Sequence, residues 1–295
     1  MPAARLIVNP SAGGGRAGRV LPDVQAALAR LGVPQTTHPT RDLPHARELA
    51  GEAAADGALA IALGGDGLVG AVAGALAGHP GSVLGVLPGG RGNDFARVLG
   101  IPGDPAQACE VVANGVVRPI DLGSVDGRYF ACIASTGFDS DANRIANGAP
   151  SWLGGQVYTY GALRALAAWK PATFTIELDG TERTYRGYSI VAANSSCYGG
   201  GMRIAPDAVL DDGLLDVVLT EQIGRVRFLL KLGKVFKGTH VREPNVHVLR
   251  GRELRIACDR PFEIYADGDP IGELPVVVRA VPSAVRVLAP AAPAT

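Results

Sequence analysis

Short apolar runs alternate with longer stretches of helical periodicity over the first 120 residues. The runs "ARLIVN", "VPQTTH", "ALAIALG" and "SVLGVLP" predict four strands. The segments after them predict helices, as in "GRAGRVLPDVQAALARLG", where apolar residues recur at helical spacing. Strands that alternate with helices form parallel sheets covered on both faces, so this part predicts a doubly wound α/β domain.

The pattern changes near residue 120. Two strands are predicted around an Asp126-Gly127 turn, followed by a helical region over residues 138–169. Short strands with alternating apolar and polar residues follow, as expected for an antiparallel, sandwich-like β domain. We therefore predict an α/β domain over 1–122, a mainly β domain over 123–288 whose last strand can return to the first domain, and a flexible tail over 289–295.

Composition narrows the function classes. The chain has 295 residues, 47% of them hydrophobic, and its 28 basic residues balance 28 acidic ones, so nucleic acid is not an expected partner. Four cysteines without CxxC spacing argue against a zinc site and favour a reduced, cytoplasmic compartment. The N-terminus lacks the pattern of a signal peptide, and no apolar stretch is long enough to span a bilayer. Membrane contact is therefore expected to be peripheral.

Three glycine-rich turns follow three of the predicted strands. They are "NPSAGGGRA" (9–17), "GGDGLVG" (64–70) and "LPGGRGNDFA" (87–96). Such turns expose backbone N–H groups at helix N-termini, where phosphates bind. One turn alone is as easily a flexible connection, but three at one sheet edge favour a phosphate site. None matches the Walker pattern or a complete GxGxxG, which disfavours an ordinary P-loop or dinucleotide fold.

Six ordered motifs resemble those of the diacylglycerol kinase catalytic family, which includes bacterial diacylglycerol kinases, YegS-like lipid kinases and sphingosine kinases. They are "NPSAGGG", "GGDG", "LPGGRGNDFAR", "IDLG", "GGGMRIAPDAVLDDGLLDVVL" and "ADGD". The resemblance covers residues 5–288. It implies a two-domain fold related to NAD kinase, ATP bound at the GGDG edge, Mg²⁺, and a lipid alcohol as phosphate acceptor.

The resemblance also implies roles for individual residues. Nucleotide contacts would come from Asn9, Pro10, Ser11, Ala12, Gly13, Thr40, Gly64, Gly65, Asp66, Gly67 and Asn93. A structural magnesium site would use the Asp212 carboxylate and the carbonyls of Val209 and Leu214, linked to the nucleotide through Asp94 and Asp121. An all-oxygen ligand set suits such a hard cation. Asp267 would be the general base, and Asp269 would replace the family's usual Glu.

Simpler interpretations of these carboxylates remain open at this point. Asp267-Gly268 is a common hairpin turn, and Asp212 also lies in a turn-like segment. Asp94 is suited to cap the helix that follows it, and Asp121 ends a predicted strand.

The chain departs from the family pattern beside the nucleotide. Leu68 and Arg91 replace threonines, Gly70 replaces Asn, and Ala71 replaces Glu. Arg91 is expected to compensate by binding phosphate, or to be a solvated surface charge. These losses leave the fold prediction intact but bear on catalytic rate and nucleotide preference.

Two apolar segments each allow two interpretations, one of them in core packing and the other in lipid binding. Residues 224–238 form an amphipathic pattern with Phe228, Leu229, Leu232, Val235 and Phe236 on one face and Arg227, Lys231 and Lys234 on the other. This predicts a helix packed on its own domain or one that docks on anionic lipid. Residues 150–169 are expected to line a lipid pocket or to fill the core between the domains.

The leading functional prediction is an ATP- and Mg²⁺-dependent lipid kinase. The alternatives are an NAD kinase-like enzyme and a nucleotide-binding protein without turnover. The expected partners are a lipid alcohol substrate and a membrane surface, and a homodimer is left open.

Overall fold

The computed structural model describes residues 3–149, 157–170 and 172–291. The first elements are β1 (Ala4–Val8), α1 (Ala12–Arg30), β2 (Gln35–Pro39), α2 (Leu43–Ala55), β3 (Ala60–Gly64), α3 (Asp66–Leu76), β4 (Val83–Pro88), α4 (Asp94–Val98), α5 (Pro105–Asn114) and β5 (Val116–Val125). Next come β6 (Arg128–Phe130), β7 (Ile133–Gly137), α6 (Phe138–Asn147), α7 (Val157–Ala168), β8 (Ala172–Leu178), β9 (Thr181–Ala193), β10 (Leu215–Glu221) and α8 (Arg225–Phe236). A short 3-10 helix (Thr239–Arg242) precedes β11 (Val246–Gly251), β12 (Glu253–Cys258), β13 (Glu263–Ala266), β14 (Asp269–Glu273) and β15 (Val276–Ala289).

The first half contains the predicted parallel sheet. Its strands run in the order β4-β3-β1-β2, and every neighbouring pair is parallel. Val8 lies beside Leu63, and Gly64 beside Pro88, so these strands end at one edge of the sheet. The three glycine-rich turns therefore leave the sheet side by side.

Helix α5 is an element that the sequence analysis leaves unassigned. It begins in a favourable local sequence, because the Asp104 side chain accepts a hydrogen bond of 2.9 Å from the Gln107 N–H and Pro105 occupies the first turn. The helix spans only 10 residues, so its apolar repeat is brief. Its buried face packs against α1 and β4.

The second half is antiparallel, and one long strand joins it to the first. The path β14-β13-β7-β9-β8-β12 leads to β15, which also pairs with β5 and runs parallel to β4. The sequence suggested two short strands at "LPVVVRAV" and "AVRVLAP". The structure has a single strand of 14 residues with a register shift between Val281 and Val285. Both halves of the chain are thus hydrogen-bonded into one sheet.

Two apolar clusters form the core, and the first extends from the α/β half into the β half. The first consists mainly of small and aliphatic residues, whereas the second contains an aromatic group formed by Phe138, Trp169, Tyr188 and Phe228. Phe228 of α8 stacks on Tyr188 at 4.0 Å between ring centroids, which fixes α8 to the β domain. Within the described ranges, no helix combines the length and apolar character needed to cross a bilayer.

Candidate active site

The three glycine-rich turns contact one another through their backbones. A Cβ on Gly13 would lie 2.6 Å from the Gly89 carbonyl oxygen, and Gly13 has a left-handed φ of +62°. A Cβ on Gly90 would lie 2.4 Å from the Gly65 Cα atom. Side chains at these positions would push the turns apart, so glycine is required for their close approach. The result is a surface of backbone atoms at the start of α1, α3 and α4.

Polar side chains of the turns mainly hold the turns in shape. The Asn9 Oδ1 atom accepts a hydrogen bond of 3.1 Å from the Ser11 N–H. Asn93, with a left-handed φ of 52°, accepts from the Gly90 N–H at 2.8 Å and donates to the Gly90 carbonyl at 3.0 Å. Thr40 lies at the same sheet edge, where its N–H donates to the Val8 carbonyl. These contacts favour a nucleotide site made largely of main-chain groups.

A cavity of about 680 Å³ lies against these turns and reaches the β domain. Gly13, Gly90 and Arg91 contribute to its wall from the turns, and Arg91 is exposed. Three carboxylates also line the cavity: Asp66, Asp94 and Asp267. The structure thus brings together residues that lie up to 255 positions apart (Gly13 and Gly268).

Asp267 comes from the hairpin between β13 and β14. Its Oδ2 atom accepts a hydrogen bond of 2.6 Å from the Ala131 N–H, and its Oδ1 atom accepts from Cys132 and Ile133 at 2.9 and 3.1 Å. Burial nevertheless raises the pKa of Asp267 to about 7, and the three N–H donors oppose that shift. The carboxylate is therefore held rigidly, with a pKa suited to proton transfer near neutral pH.

Asp269 has a different environment from Asp267. It is exposed, does not line the cavity, and its Oδ2 atom would lie 2.8 Å from a Cβ on Gly67. Partial desolvation of the carboxyl group raises the pKa of Asp269, and the positive charge of Arg47 opposes that shift. Asp267 lines the cavity and Asp269 does not, but the Asp269 carboxylate faces Gly67 of the GGDG turn.

Asp66 and Asp94 form a pair of facing carboxylates. A Cβ on Gly92 would lie 3.0 Å from Asp66 Oδ2 and 2.9 Å from Asp94 Oδ2, so both oxygens point to one place. Asp66 Oδ1 accepts from the Phe95 N–H at 3.0 Å and so caps α4, a role that the sequence assigned to Asp94. Burial, with a smaller contribution from Asp94, raises the pKa of Asp66. Two such oxygens beside a phosphate site fit Mg²⁺, which binds one or two carboxylates together with substrate phosphates.

The predicted magnesium loop is engaged in protein contacts. The Asp212 carboxylate pairs with Arg250 and also accepts from the Leu214 N–H at 3.0 Å. Val209, whose carbonyl was the other predicted ligand besides Leu214, is exposed three residues before Asp212. Across the described ranges, no group of three or more His, Cys, Asp or Glu side chains is arranged to hold a metal ion. Arg250 pairs with Asp212 much as Arg97 pairs with Asp94, so an Arg partner does not distinguish the two sites. Asp66 and Asp94 line the cavity and Asp212 does not, which places the first two closer to the three turns.

Asp121 joins this loop to the rest of the sheet. Its side chain is 2% exposed, and its two oxygens accept hydrogen bonds from the N–H groups of Gly213 at 2.6 Å and Ser283 at 2.7 Å. Asp121 does not line the cavity. Its observed contacts are those of a structural carboxylate.

A second, apolar cavity of about 350 Å³ lies beside the first. Its wall comes mainly from α6, α7 and α8, and includes Phe138, Leu163, Phe228 and Leu232. The two cavities share five lining residues: Asn143, Thr159, Tyr198, Gly199 and Phe236. Of the predicted pocket segment 150–169, residues 150–156 lie outside the described residues, whereas Thr159, Ala162 and Leu163 line this cavity.

Sequence reasoning missed several residues that shape the site. Tyr198 lies where the cavities meet, directly before the "GGGMRIAPDAVLDDGLLDVVL" motif but outside it. Asn194 is fully buried, and its side-chain N–H₂ donates to the carbonyls of Asp121 at 2.8 Å and Ala131 at 2.9 Å. It therefore supports the strand whose N–H groups hold Asp267. A lone Asn or Tyr in a strand-rich sequence carries no pattern that would reveal such roles.

Two of the departures from the family pattern, Leu68 and Gly70, lie in α3, and the structure explains both. Leu68 is 3% exposed and packs on Gly64, so its side chain belongs to the core and not to the nucleotide edge. Gly70 faces Asp267, because a Cβ there would lie 2.7 Å from Asp267 Oδ2. The missing side chain thus leaves room for the Asp267 carboxylate.

Family comparisons cover both halves of the chain. A family model described as the diacylglycerol kinase catalytic domain matches residues 3–125. A model described as the YegS C-terminal NAD kinase beta sandwich-like domain matches residues 132–289. The diacylglycerol kinase of Mycobacterium tuberculosis is 36% identical over 293 residues, covering 96% of this chain and 94% of that protein. The diacylglycerol kinase of Bacillus subtilis is 32% identical over 285 residues, covering 93% and 92%.

Solved structures share the fold. A diacylglycerol kinase from Bacillus anthracis superposes with a TM-score of 0.74 at 21% identity, over 97% of this chain and 96% of that one. Yeast NADH kinase complexed with NADH superposes with a TM-score of 0.52 at 10% identity, over 99% of this chain and 84% of that one. The predicted fold, an α/β domain followed by an antiparallel β-rich domain of the NAD kinase type, is confirmed.

Proposed function

Because the chain belongs to the diacylglycerol kinase family, we propose that it transfers the γ-phosphate of ATP to a hydroxyl of diacylglycerol or a related lipid alcohol. One observation carries the proposal. Asp267 lies in the cavity of about 680 Å³, called the polar cavity here for the three carboxylates in its wall, together with residues of the glycine-rich turns. This cavity adjoins the apolar one. Phosphate donor, proton acceptor and apolar tail would thus meet in one continuous space.

The glycine-rich turns would bind the phosphates. Their backbones approach closely without side chains between them, and α3 begins at Asp66 directly after the second turn. Helix N-termini and open N–H groups attract phosphate oxygens. Arg91 lies in the cavity wall and is suited to contact the same anion.

Asp267 would accept the proton of the acceptor hydroxyl. Three N–H donors fix its carboxylate, so its orientation is set before substrate binds. Phosphoryl transfer depends mainly on alignment and charge stabilisation, with a carboxylate to take the hydroxyl proton. A pKa of about 7 leaves Asp267 basic enough to take that proton and partly ionised at neutral pH.

Asp66 and Asp94 would hold Mg²⁺ at the phosphates. The ion would supply positive charge that offsets both the phosphate charge and the repulsion between the two facing carboxylates. The Asp94 side chain is held by Arg97 and by the Gly200 N–H at 2.8 Å. These contacts fix its orientation toward Asp66.

The apolar cavity would take part of an acyl chain. Its lining is mainly aliphatic and aromatic, and Asn143 and Tyr198 lie at the junction with the polar cavity. A lipid alcohol can place its tail in one cavity and its hydroxyl in the other. NAD, the acceptor in the second candidate reaction, has no comparable apolar tail.

An acceptor panel tests this proposal. Purified protein, ATP and Mg²⁺ are incubated in turn with diacylglycerol, a sphingoid base, a glycerophosphate lipid and NAD, and phosphorylated product is measured. We expect product with a lipid alcohol and none with NAD. Product with NAD alone would contradict the lipid proposal, and nucleotide binding without any product would favour a protein without turnover.

A further inference from the structure

Helix α8 (Arg225–Phe236) carries apolar side chains on its outer surface. Val226 is 73% exposed and Leu230 is 76% exposed, and the two lie one turn apart on the same face. Leu229 and Phe236 are also exposed. The opposite side of the helix is anchored by buried Phe228, so this outer face is fixed in position and has no covering element among the described residues.

The exposed face continues into the apolar cavity. Leu229 and Phe236 of α8 and Leu163 of α7 are partly exposed, and all three also line that cavity. They therefore form part of its rim. Val226 and Leu230 line neither of the two cavities described above and extend the apolar surface outward from this rim.

The charge of α8 is entirely positive. Its sequence contains Arg225, Arg227, Lys231 and Lys234 and no acidic residue, and Lys237 follows directly. Lys231 and Lys234, the lysines that the sequence singled out for docking, both pair with Glu243. Arg227 and Lys237 are exposed at the surface. They are the charges best placed to meet an anionic partner.

We propose that this outer face of α8 is a docking surface for an anionic lipid bilayer, with Val226 and Leu230 inserted at the interface and Arg227 and Lys237 facing the headgroups. Apolar side chains flanked only by basic ones are the pattern of helices that lie in a bilayer interface. Basic side chains near the surface of an anionic leaflet add electrostatic attraction. Docking here places the rim of the apolar cavity against the bilayer, so the occupant of the cavity enters directly from it.

The test is binding to vesicles without nucleotide, so that it is independent of any kinase activity. Sedimentation is measured with vesicles of phosphatidylglycerol and phosphatidylcholine in equal parts and with phosphatidylcholine alone. Val226→Ser/Leu230→Ser should weaken binding to the anionic vesicles by about tenfold or more, because two exposed apolar side chains no longer insert. Val116→Ser/Val117→Ser is the matched control, since both valines are exposed on β5.

A double charge-reversal variant tests the electrostatic contribution to vesicle binding. Arg227→Glu/Lys237→Glu should abolish the preference for anionic vesicles, whereas Arg30→Glu/Arg252→Glu, the same charge change elsewhere on the exposed surface, should leave it in place. Phosphorylation of a short-chain acceptor dispersed in detergent should be unchanged in both α8 variants, which also shows that they fold.

Two results would overturn the proposal. One is vesicle binding by both α8 variants equal to that of the wild-type protein. The other is a wild-type dimer, seen by analytical ultracentrifugation, that becomes monomeric in Val226→Ser/Leu230→Ser with vesicle binding unaltered. That second result would assign the face to a second copy of the chain.

Discussion

The Asp267-Gly268 sequence forms a hairpin turn and also places a carboxylate in the candidate active site. The described part of the chain has three Asp-Gly hairpins, at Asp126, Asp179 and Asp267, and each Asp has a left-handed φ between 47° and 50°. In each, the carboxylate accepts backbone N–H groups from elsewhere in the fold: Val277 for Asp126, Glu253 for Asp179 and Ala131 for Asp267. Of the three, Asp267 lines the polar cavity. The local sequence predicts the turns at Asp126 and Asp267, but the position of the strands decides which carboxylate meets the cavity.

The pKa of Asp267 leads to a prediction about pH. A general base must be ionised, and burial raises the pKa of this carboxyl to about 7, so the active form is lost as the pH falls through that value. We expect kcat/KM to fall about tenfold for each pH unit below 7 and to level off above it. Phosphorylation rates measured between pH 5 and 9, at saturating Mg²⁺, check this. A profile that is flat from 5.5 to 7.5 would argue against Asp267 as the base.

Helix α3 is the element that joins the nucleotide edge to Asp267. Its first turn carries Asp66, and one turn later Gly70 lies against the Asp267 carboxylate. The sequence pattern predicted this helix and the turn before it, since both follow from local periodicity. The pattern of missing polar residues at 68 and 70 was informative only once the fold showed which side each faces.

Gly70→Ala tests the contact between α3 and Asp267. The new Cβ would lie 2.7 Å from Asp267 Oδ2, which is itself held by the Ala131 N–H at 2.6 Å, so the carboxylate must shift. We expect kcat to fall about tenfold or more, because misplaced catalytic groups lose alignment, while nucleotide affinity changes little. Gly51→Ala in α2 is the control, because a Cβ there meets no atom within 4 Å. Equal kcat values for the two variants would contradict the contact's role.

The whole molecule is held together by β15 and by Asp121. Strand β15 pairs with strands of both halves, and Asp121 links β5 to the Ser283 N–H within β15 and to the Gly213 N–H. Local sequence patterns predict the strands of this region but not their partners, because pairing between distant segments leaves no local pattern. The sequence alone therefore could not predict that Asp121 lies outside the cavity, because its position depends on how the strands pair.

Asp121→Ala should destabilise the whole fold. The change leaves the Gly213 and Ser283 N–H groups without their acceptor. Both hydrogen bonds are part-buried, so the cost is up to about 1–3 kcal/mol for each donor that water does not reach. Thermal or urea unfolding without Mg²⁺ measures the loss in the free energy of unfolding. Asp211→Ala is the control, because its pair with Arg118 is about 40% exposed on both sides and such pairs contribute about 1 kcal/mol or less. Equal stability of the two variants without Mg²⁺, with a difference only when the ion is added, would instead make Asp121 a metal ligand.

The central claim is that Asp267 acts on a lipid hydroxyl across the cavity from the bound nucleotide. Transfer of labelled γ-phosphate from ATP to diacylglycerol, compared in the wild-type protein, Asp267→Asn and Asp269→Asn, tests it most directly. Asp267→Asn should lose about 10²–10⁴-fold in rate with ATP affinity retained, and Asp269→Asn should stay within about tenfold of wild type, because Asp269 lies outside the cavity. Transfer by Asp267→Asn at the wild-type rate would contradict the claim.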